Sequence, residues 1–213
     1  MNRVNAYATL ILCLLAATQT ALAQQTADET RFEIGGHLIR LNLRPLETII
    51  TTPERVFRSN AFDSSYLGIG GRIGYNFNRA ISIEAEGNFF PNIFEGELSK
   101  KAQFLAGLKA GIRTEYFGIY AKARPGLMYF GSIPFHARCT FTCVEKTQTN
   151  FAFDLGGVVE YYPSPRTIVR VDYGDTLVKF KTVGPTPAFT SSILTPAQTI
   201  HNLQFSVGLG WRI

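Results

Sequence analysis

Two acidic residues, Glu84 and Glu86, form the plainest arrangement for acid/base chemistry in this 213-residue sequence. A spacing of two residues places both carboxylates on one face of a β-strand, and paired carboxylates can accept and donate protons. The neighbouring segments also supply many cationic side chains that could pair with them. We therefore expect Glu84 and Glu86 to belong to a structural charge network, with acid/base catalysis as the alternative.

Cys139 and Cys143 could form a disulfide, or they could bind a metal together with His136. A structural zinc site takes four protein ligands, and this group offers only three. An exported protein meets an oxidising compartment, where a local cysteine pair forms a disulfide by default. The sequence therefore predicts a Cys139–Cys143 disulfide, and no metal site or cofactor.

The segment from Gly68 to Gly74, Gly-Ile-Gly-Gly-Arg-Ile-Gly, is similar to a dinucleotide-binding loop. In that loop a third glycine follows at a fixed spacing and a helix begins. Here Ile73 occupies the third position, and an alternating strand pattern continues through the segment. Small side chains facing a crowded interior explain these glycines better than a nucleotide does.

The N-terminus has the pattern of a secretory signal peptide over residues 1–23. Arg3 gives a charged start, residues 6–17 form an apolar block, and Ala21-Leu22-Ala23 fits a cleavage site. Residues 24–30 form a polar periplasmic leader, and residues 31–213 suit one domain. No later run reaches the roughly 18 apolar residues of a transmembrane helix, so any membrane span must use strands. Lys and Arg outnumber Asp and Glu by 21 to 16 but are scattered, which argues against nucleic-acid binding.

Eight segments alternate apolar residues with small or polar ones, which is the pattern of β-strands. The last is the clearest: Leu203, Phe205, Val207, Leu209 and Trp211 share one face, predicted to face lipid, with Trp211 at the periplasmic interface. The eight segments are residues 31–43, 66–77, 80–90, 102–113, 117–130, 151–161, 167–180 and 201–213.

The connections alternate between long ones after the odd-numbered segments and short ones after the even-numbered segments, and aromatic residues gather at segment ends. This asymmetry is typical of outer-membrane barrels. The predicted fold is all-β: an eight-stranded antiparallel up-and-down transmembrane β-barrel with short periplasmic turns and long extracellular loops.

Two local predictions accompany it. Residues 51–54 fit a capping box for a short helical turn, with an irregular loop as the alternative, and Pro125 predicts a bulge or local break in its strand.

Charged residues on the faces opposite the apolar ones nearly balance in sign, which predicts paired charges filling a narrow lumen. An eight-stranded barrel has room for side chains inside but little space for a channel. The predicted lumen charge network contains Glu33, Arg72, Glu84, Glu86, Lys109, Arg113, Lys122, Arg124, Asp154, Glu160, Arg170, Asp172 and Arg212.

The signal peptide, the alternating pair of segments around Asn78-Arg79 and the terminal strand ending Leu209-Gly-Trp-Arg-Ile213 resemble the small outer-membrane β-barrel proteins of the OmpA/OmpX-like superfamily. The resemblance is one of pattern over essentially the whole mature chain. It implies a monomer in the outer membrane of a Gram-negative bacterium, surrounded by lipid and delivered to the barrel assembly machinery through its C-terminal strand. Family members usually end in Phe, whereas Ile213 stands here.

Some eight-stranded barrels of this membrane modify lipid A, and the deacylase type uses a His-x-Ser arrangement. His37, His136 and His201 are followed two residues later by Ile39, Arg138 and Leu203, so that spacing is absent. We expect no enzyme, but a structural or surface-interaction protein whose loops contact an unidentified partner. The alternatives are a soluble lipocalin-like carrier of a small apolar ligand, whose charged face would point outward, and a narrow pore.

Overall fold

The computed structural model describes residues 31–61, 64–91, 100–133, 146–188 and 191–213, and these residues form β-strands joined by turns. The strands are β1 (Phe32–Leu43), β2 (Leu46–Thr51), β3 (Val56–Ala61), β4 (Ser64–Asn76), β5 (Ile81–Phe90), β6 (Lys101–Arg113), β7 (Phe117–Ile133), β8 (Lys146–Tyr161), β9 (Thr167–Phe180), β10 (Val183–Ala188), β11 (Ser191–Thr195) and β12 (Gln198–Arg212). No helix in the described part of the chain is long and apolar enough to cross a membrane.

Eight of these strands close into a barrel in the order β1-β12-β9-β8-β7-β6-β5-β4, and each corresponds to one of the eight predicted segments. All neighbours are antiparallel. The ring closes between the first and last strands, where Glu33 lies opposite Arg212 and Leu38 lies opposite Val207. The predicted eight-stranded antiparallel barrel is therefore confirmed.

The barrel has two different ends. The tight turns β4–β5, β6–β7 and β8–β9 lie at one end, together with the start of β1 and the end of β12; we call this the turn end. The connections that follow β1, β5, β7 and β9 leave from the opposite end, the loop end. Aromatic pairs mark the turn end: Phe32 packs on Tyr75 with ring centroids 5.0 Å apart, and Phe117 on Tyr161 at 5.1 Å.

The outer face of the barrel strands is mostly apolar, and most of the charged side chains of these strands face inward. Phe205, Val207, Leu209 and Trp211 are exposed, whereas the alternate residues on β12 are mostly buried. Strand pleating with a period of two produces this separation. An apolar exterior suits lipid and is the reverse of the exterior of a soluble carrier, so the structure does not favour the lipocalin-like alternative.

The interior is divided along the barrel axis. Ionic side chains fill it toward the turn end, whereas an apolar cluster fills it toward the loop end. That cluster was missing from the sequence prediction, which expected a polar lumen. It contains Ile39, Leu41, Leu43, Leu46, Tyr66, Phe90, Leu105, Met128, Phe130, Ala152, Val178, Phe180 and Ile200, each of them buried.

A second sheet, with strand order β10-β11-β2-β3, lies at the loop end and was not predicted. It combines a hairpin from the first long connection with a hairpin from the last. The capping-box helix predicted for residues 51–54 is wrong: Thr51 ends β2, and residues 52–55 form a non-helical turn into β3, which agrees with the loop alternative. Thr52 closes that turn: its backbone N–H donates to the Arg55 carbonyl at 2.8 Å, and its hydroxyl oxygen accepts the Arg55 N–H at 3.0 Å.

Pro125 causes a local break in pairing without a bulge. On the β6 side, Leu105 lies opposite Gly126 and Leu108 opposite Ala123, so the register is the same before and after the interruption. On the β8 side, Pro125 lies directly opposite Phe153. Proline has no N–H to donate to the ladder, which accounts for the interruption on one side only.

Candidate functional site

Arg124 is the centre of the ionic interior. It projects inward from β7, is fully buried (0%), and contacts carboxylates from three other strands, β5, β8 and β9. Its guanidinium lies 2.9 Å from Glu84, 2.7 Å from Glu86 and 2.7 Å from Asp154. A planar guanidinium with five donors can serve several carboxylates at once, which a lysine at this position could not do as well.

Arg170 and Lys122 extend the network around the barrel wall. Arg170 on β9 donates to Glu84 at 2.7 Å and to Asp172 at 2.7 Å. Lys122 on β7 lies 2.8 Å from Asp154 and also pairs with Asp172. Each of these carboxylates therefore has more than one cationic partner, which is the condition under which buried charges are tolerated.

A second part of the network lies nearer the turn end. Lys109 donates to Glu160 at 2.6 Å and lies 3.8 Å from Glu33, which in turn accepts a hydrogen bond from Arg212 at 2.9 Å. Tyr162, just beyond β8, donates to Glu160 at 2.8 Å. Burial and the neighbouring Glu160 carboxylate raise the pKa of Tyr162. The Arg212–Glu33 bond joins the last strand to the first across the barrel closure.

Arg72 and Arg113 hold different positions from the other members of the predicted network. Arg72 is buried, but its Nη2 atom has no hydrogen-bond partner among the described residues. Arg113 is half-buried, and its guanidinium lies 5.0 Å from the centre of the Tyr162 ring. The structure thus brings eleven of the thirteen predicted residues into direct ion pairs with one another and places these two at the side of the network.

Inward-facing glycines provide the space for these long side chains. A Cβ atom at Gly174 would lie 2.7 Å from Asp154 Oδ1 and 3.1 Å from Lys122 Nζ. At Gly70, a Cβ atom would overlap the side chains of Asn88 and His37. The glycines of the segment that is similar to a dinucleotide-binding loop therefore lie within strand β4, where they face neighbouring side chains and backbone, and not before a helix.

His37 joins the interior network, although the sequence analysis left it out. Its Nε2 atom lies 2.7 Å from Asn88 Oδ1 and 3.6 Å from Glu86. Asn88 also donates to Glu86 and to Gln103, at 2.8 and 2.9 Å. These polar side chains separate the ionic part of the interior from the apolar cluster. The alternation of β1 could have identified His37, because the same face carries Glu33 four residues earlier.

Comparison with known proteins agrees with this geometry. A family model described as "Outer membrane protein beta-barrel domain" matches residues 9–212, almost the whole chain. The chain belongs to this family. The family places this barrel in the outer membrane, with lipid around its apolar exterior. No curated protein sequence matches the chain.

Solved structures of other outer-membrane barrels share the fold. Neisserial surface protein A is 13% identical with a TM-score of 0.53; the alignment covers 85% of this chain and 97% of that one. The outer membrane protein OprG from Pseudomonas aeruginosa is 14% identical with a TM-score of 0.51, covering 87% and 96%. At these identities the likeness concerns the fold of the barrel.

The other sequence-predicted groups stand apart from this network. Cys139, Cys143 and His136 lie outside the described residues, so the disulfide stays a prediction. Among the described residues, no group of His, Cys, Asp and Glu side chains is arranged to hold a metal ion. The carboxylates Glu84 and Glu86 are held by arginines inside a packed interior, which favours the structural reading over acid/base catalysis.

Proposed function

We propose that this outer-membrane barrel does not transport solutes and acts at the cell surface through the β10-β11-β2-β3 sheet. The observation that carries the proposal is that buried side chains occupy the barrel interior, mainly ionic toward the turn end and mainly apolar toward the loop end. Arg124 in the ionic part and Phe90 in the apolar part are both buried. With the interior occupied by its own side chains, the sheet at the loop end is the surface that the described residues offer for contact.

The sheet is attached to the barrel by specific contacts, which suits a contact platform. The backbone N–H of Glu47 donates to the Gln198 side chain at 3.2 Å, and the Gln198 amide donates back to the Glu47 carbonyl at 3.0 Å. Leu46, the first residue of β2, is buried in the apolar cluster below. These contacts set the base of β2 against the start of β12.

A liposome-swelling assay tests the closed interior. Vesicles that contain the refolded barrel should not swell in isotonic arabinose, and vesicles that contain a known porin serve as the positive control. Swelling that depends on this barrel would support the narrow-pore alternative and overturn the proposal.

The contact role is tested with cells that carry either the intact barrel or a variant with residues 46–61 and 183–195 replaced by short glycine-serine turns. Adherence is measured on surfaces coated with serum proteins and on surfaces coated with a sulfated polysaccharide. We expect the intact barrel to adhere to at least one coating and the variant to lose that adherence, with both showing heat-modifiable gel mobility. Equal adherence of the two, or none by either, would exclude the sheet as the contact surface.

We also propose that the chain is not an enzyme. His37 is held in the interior by Asn88, and His201 is paired with Asp175 at 2.6 Å on the outer face. Neither histidine is followed by serine two residues later. Hydrolysis of a phospholipid or lipid A acyl chain by the purified barrel would overturn this.

The remaining features of the mature protein follow from the sequence. We propose cleavage after Ala23, a periplasmic leader at residues 24–30, a monomer that binds no nucleic acid, and insertion by the assembly machinery through β12. N-terminal sequencing of the outer-membrane protein tests the cleavage. For the disulfide, alkylation after denaturation without reductant should leave Cys139 and Cys143 unmodified, and labelling of both thiols would contradict it.

A further inference from the structure

One sector of the barrel exterior carries charge, although the rest does not. At the described outward-facing strand positions of β4 to β8, every residue is apolar, glycine, alanine, proline, serine or threonine. By contrast, β1, β9 and β12 carry outward-facing charges near the loop end. The exposed basic residues of this sector, which we call the basic rim, are Arg40, Arg44, Lys179, Lys181 and His201.

The basic rim is continuous across three adjacent strands. Lys179 on β9 lies opposite Thr199 on β12, two residues from His201. Asn42 on β1 lies opposite Leu203, and the Arg44 backbone N–H donates to the side chain of Asn202, next to His201, at 3.1 Å. Neighbouring strands are about 4.8 Å apart, so the rim spans roughly 10 Å around the barrel.

The rim lies at the edge of the apolar exterior. Leu38 precedes Arg40 on the outer face of β1, and Leu203 follows His201 on that of β12; both leucines are exposed. In a membrane this edge is the level at which lipid headgroups begin, where long basic side chains extend toward water. The rim therefore meets lipid headgroups before it meets soluble molecules.

The charge of the rim is only partly compensated. His201 pairs with Asp175 at 2.6 Å, and Arg40 donates to the Ser65 hydroxyl at 2.7 Å. Asp175 is the one acidic side chain among the described outward positions of these three strands. Glu47, the first acidic residue after Arg44 in the sequence, pairs with Arg58 of the second sheet at 3.8 Å. Two arginines and two lysines against one carboxylate leave a positive surface.

We propose that the basic rim binds the phosphate groups of a phosphorylated glycolipid in the outer leaflet. Arginine forks match phosphate oxygens in geometry and charge, and lysines add electrostatic attraction. The leucines directly below the rim would contact the acyl chains of the same molecule. The site goes beyond the proposed function: it depends on the loop end facing outward and not on the contact role of the second sheet.

The test compares a double variant, Arg40→Gln with Lys179→Gln, against a control with the same charge change, Lys100→Gln with Arg166→Gln. Lys100 precedes β6, which is diametrically opposite β12 in the barrel, and Arg166 lies at the turn end; both are exposed. Each barrel is placed in phosphatidylcholine nanodiscs and titrated with diphosphorylated lipid A, with dephosphorylated lipid A, and with a diphosphorylated disaccharide that lacks acyl chains.

The rim variant should bind diphosphorylated lipid A roughly 25-fold more weakly than the wild type, because each basic side chain near an anionic surface contributes about a fivefold factor. The control should bind as the wild type does, and dephosphorylated lipid A should bind weakly to all three. Equal weakening in the control, or equal binding of dephosphorylated lipid A, would overturn the phosphate site. Equal binding of the acyl-free disaccharide would overturn its assignment to lipid. Heat-modifiable gel mobility verifies folding, and the cell-adherence assay is independent of this titration.

Discussion

Replacing Arg124 by methionine should be among the most destabilising single substitutions in this barrel. The substitution leaves Glu84 with Arg170 at 2.7 Å and Asp154 with Lys122 at 2.8 Å. Among the described residues it leaves Glu86 with no arginine or lysine partner, and only the Asn88 amide at 2.8 Å and His37 at 3.6 Å remain beside it. Removal of one partner from a buried ion pair typically costs about 3–5 kcal/mol, because the other charge stays desolvated and uncompensated. We expect a loss of that size.

A second substitution identifies the source of this loss. In the Arg124→Met background, Glu86→Gln removes the carboxylate that has lost its strongest partner, so the double variant should be about 1–3 kcal/mol more stable than the sum of the two single effects. Arg113→Met is the control: it removes an arginine that is half-buried and stacked on Tyr162, and it should cost about 1 kcal/mol or less.

Stability can be measured by urea unfolding in phosphatidylcholine vesicles, followed by tryptophan fluorescence. The chain has one tryptophan, Trp211, which is half exposed on the outer face and will report its transfer from lipid to water. If the Arg124 and Arg113 substitutions cost the same within 1 kcal/mol, or if Glu86→Gln makes the Arg124 variant less stable, the hub role derived for Arg124 is refuted.

Three further substitutions test the interior and the exterior. Phe90→Ala should cost about 3–5 kcal/mol, because the ring is 1% exposed within the apolar cluster, and in the same urea assay it should exceed Phe89→Ala, whose ring is 41% exposed to the outside. Gly70→Ala should lower the urea midpoint, because its Cβ atom would displace the buried, hydrogen-bonded side chains of Asn88 and His37. Gly87→Ala should leave the midpoint nearly unchanged, since nothing lies within 4 Å of its Cβ position, and equal midpoints for the two variants would disprove the crowding. Val207→Arg, near the middle of the lipid-facing surface, should cost about 2–4 kcal/mol, and an unchanged unfolding midpoint would argue against lipid contact there.

The barrel strands could be predicted from the sequence because each barrel strand separates two environments. On β12, for example, an unbroken alternation from Leu203 to Ile213 sets an apolar face against a small and polar one. The same alternation placed the ionic residues inside, where Arg124 and Glu84 now lie 2.9 Å apart. The pairing of each cation with a particular carboxylate could not be predicted, because it depends on the register and tilt of strands that are distant in sequence.

The apolar cluster and the second sheet were missed for different reasons. Ile39 and Leu41 lie on the inner face of β1 and alternate with Arg40 and Asn42, whereas Ile34 and Leu38 lie on its outer face. The apolar face therefore changes sides along β1, and alternation alone does not show which side is inside. The second sheet pairs β2 with β11, so that Ile50 lies opposite Ile193. Short hairpins that are stable only together carry little signal when each is read alone. The prolines in β10 also obscured a strand, since proline is tolerated only at sheet edges.

The pairing of β1 with β12 has a consequence for how the chain reaches its folded state. Glu33 and Arg212, which meet across this seam, are separated by 179 residues. Contacts of such long range carry the greatest loop-closure entropy and slow folding. Until β12 is in place, β1 and its apolar outer face remain an open sheet edge, able to pair with other chains. Closure of β1 against β12 therefore competes with aggregation. Keeping each chain separate from others until β12 has paired should raise the yield of folded barrel.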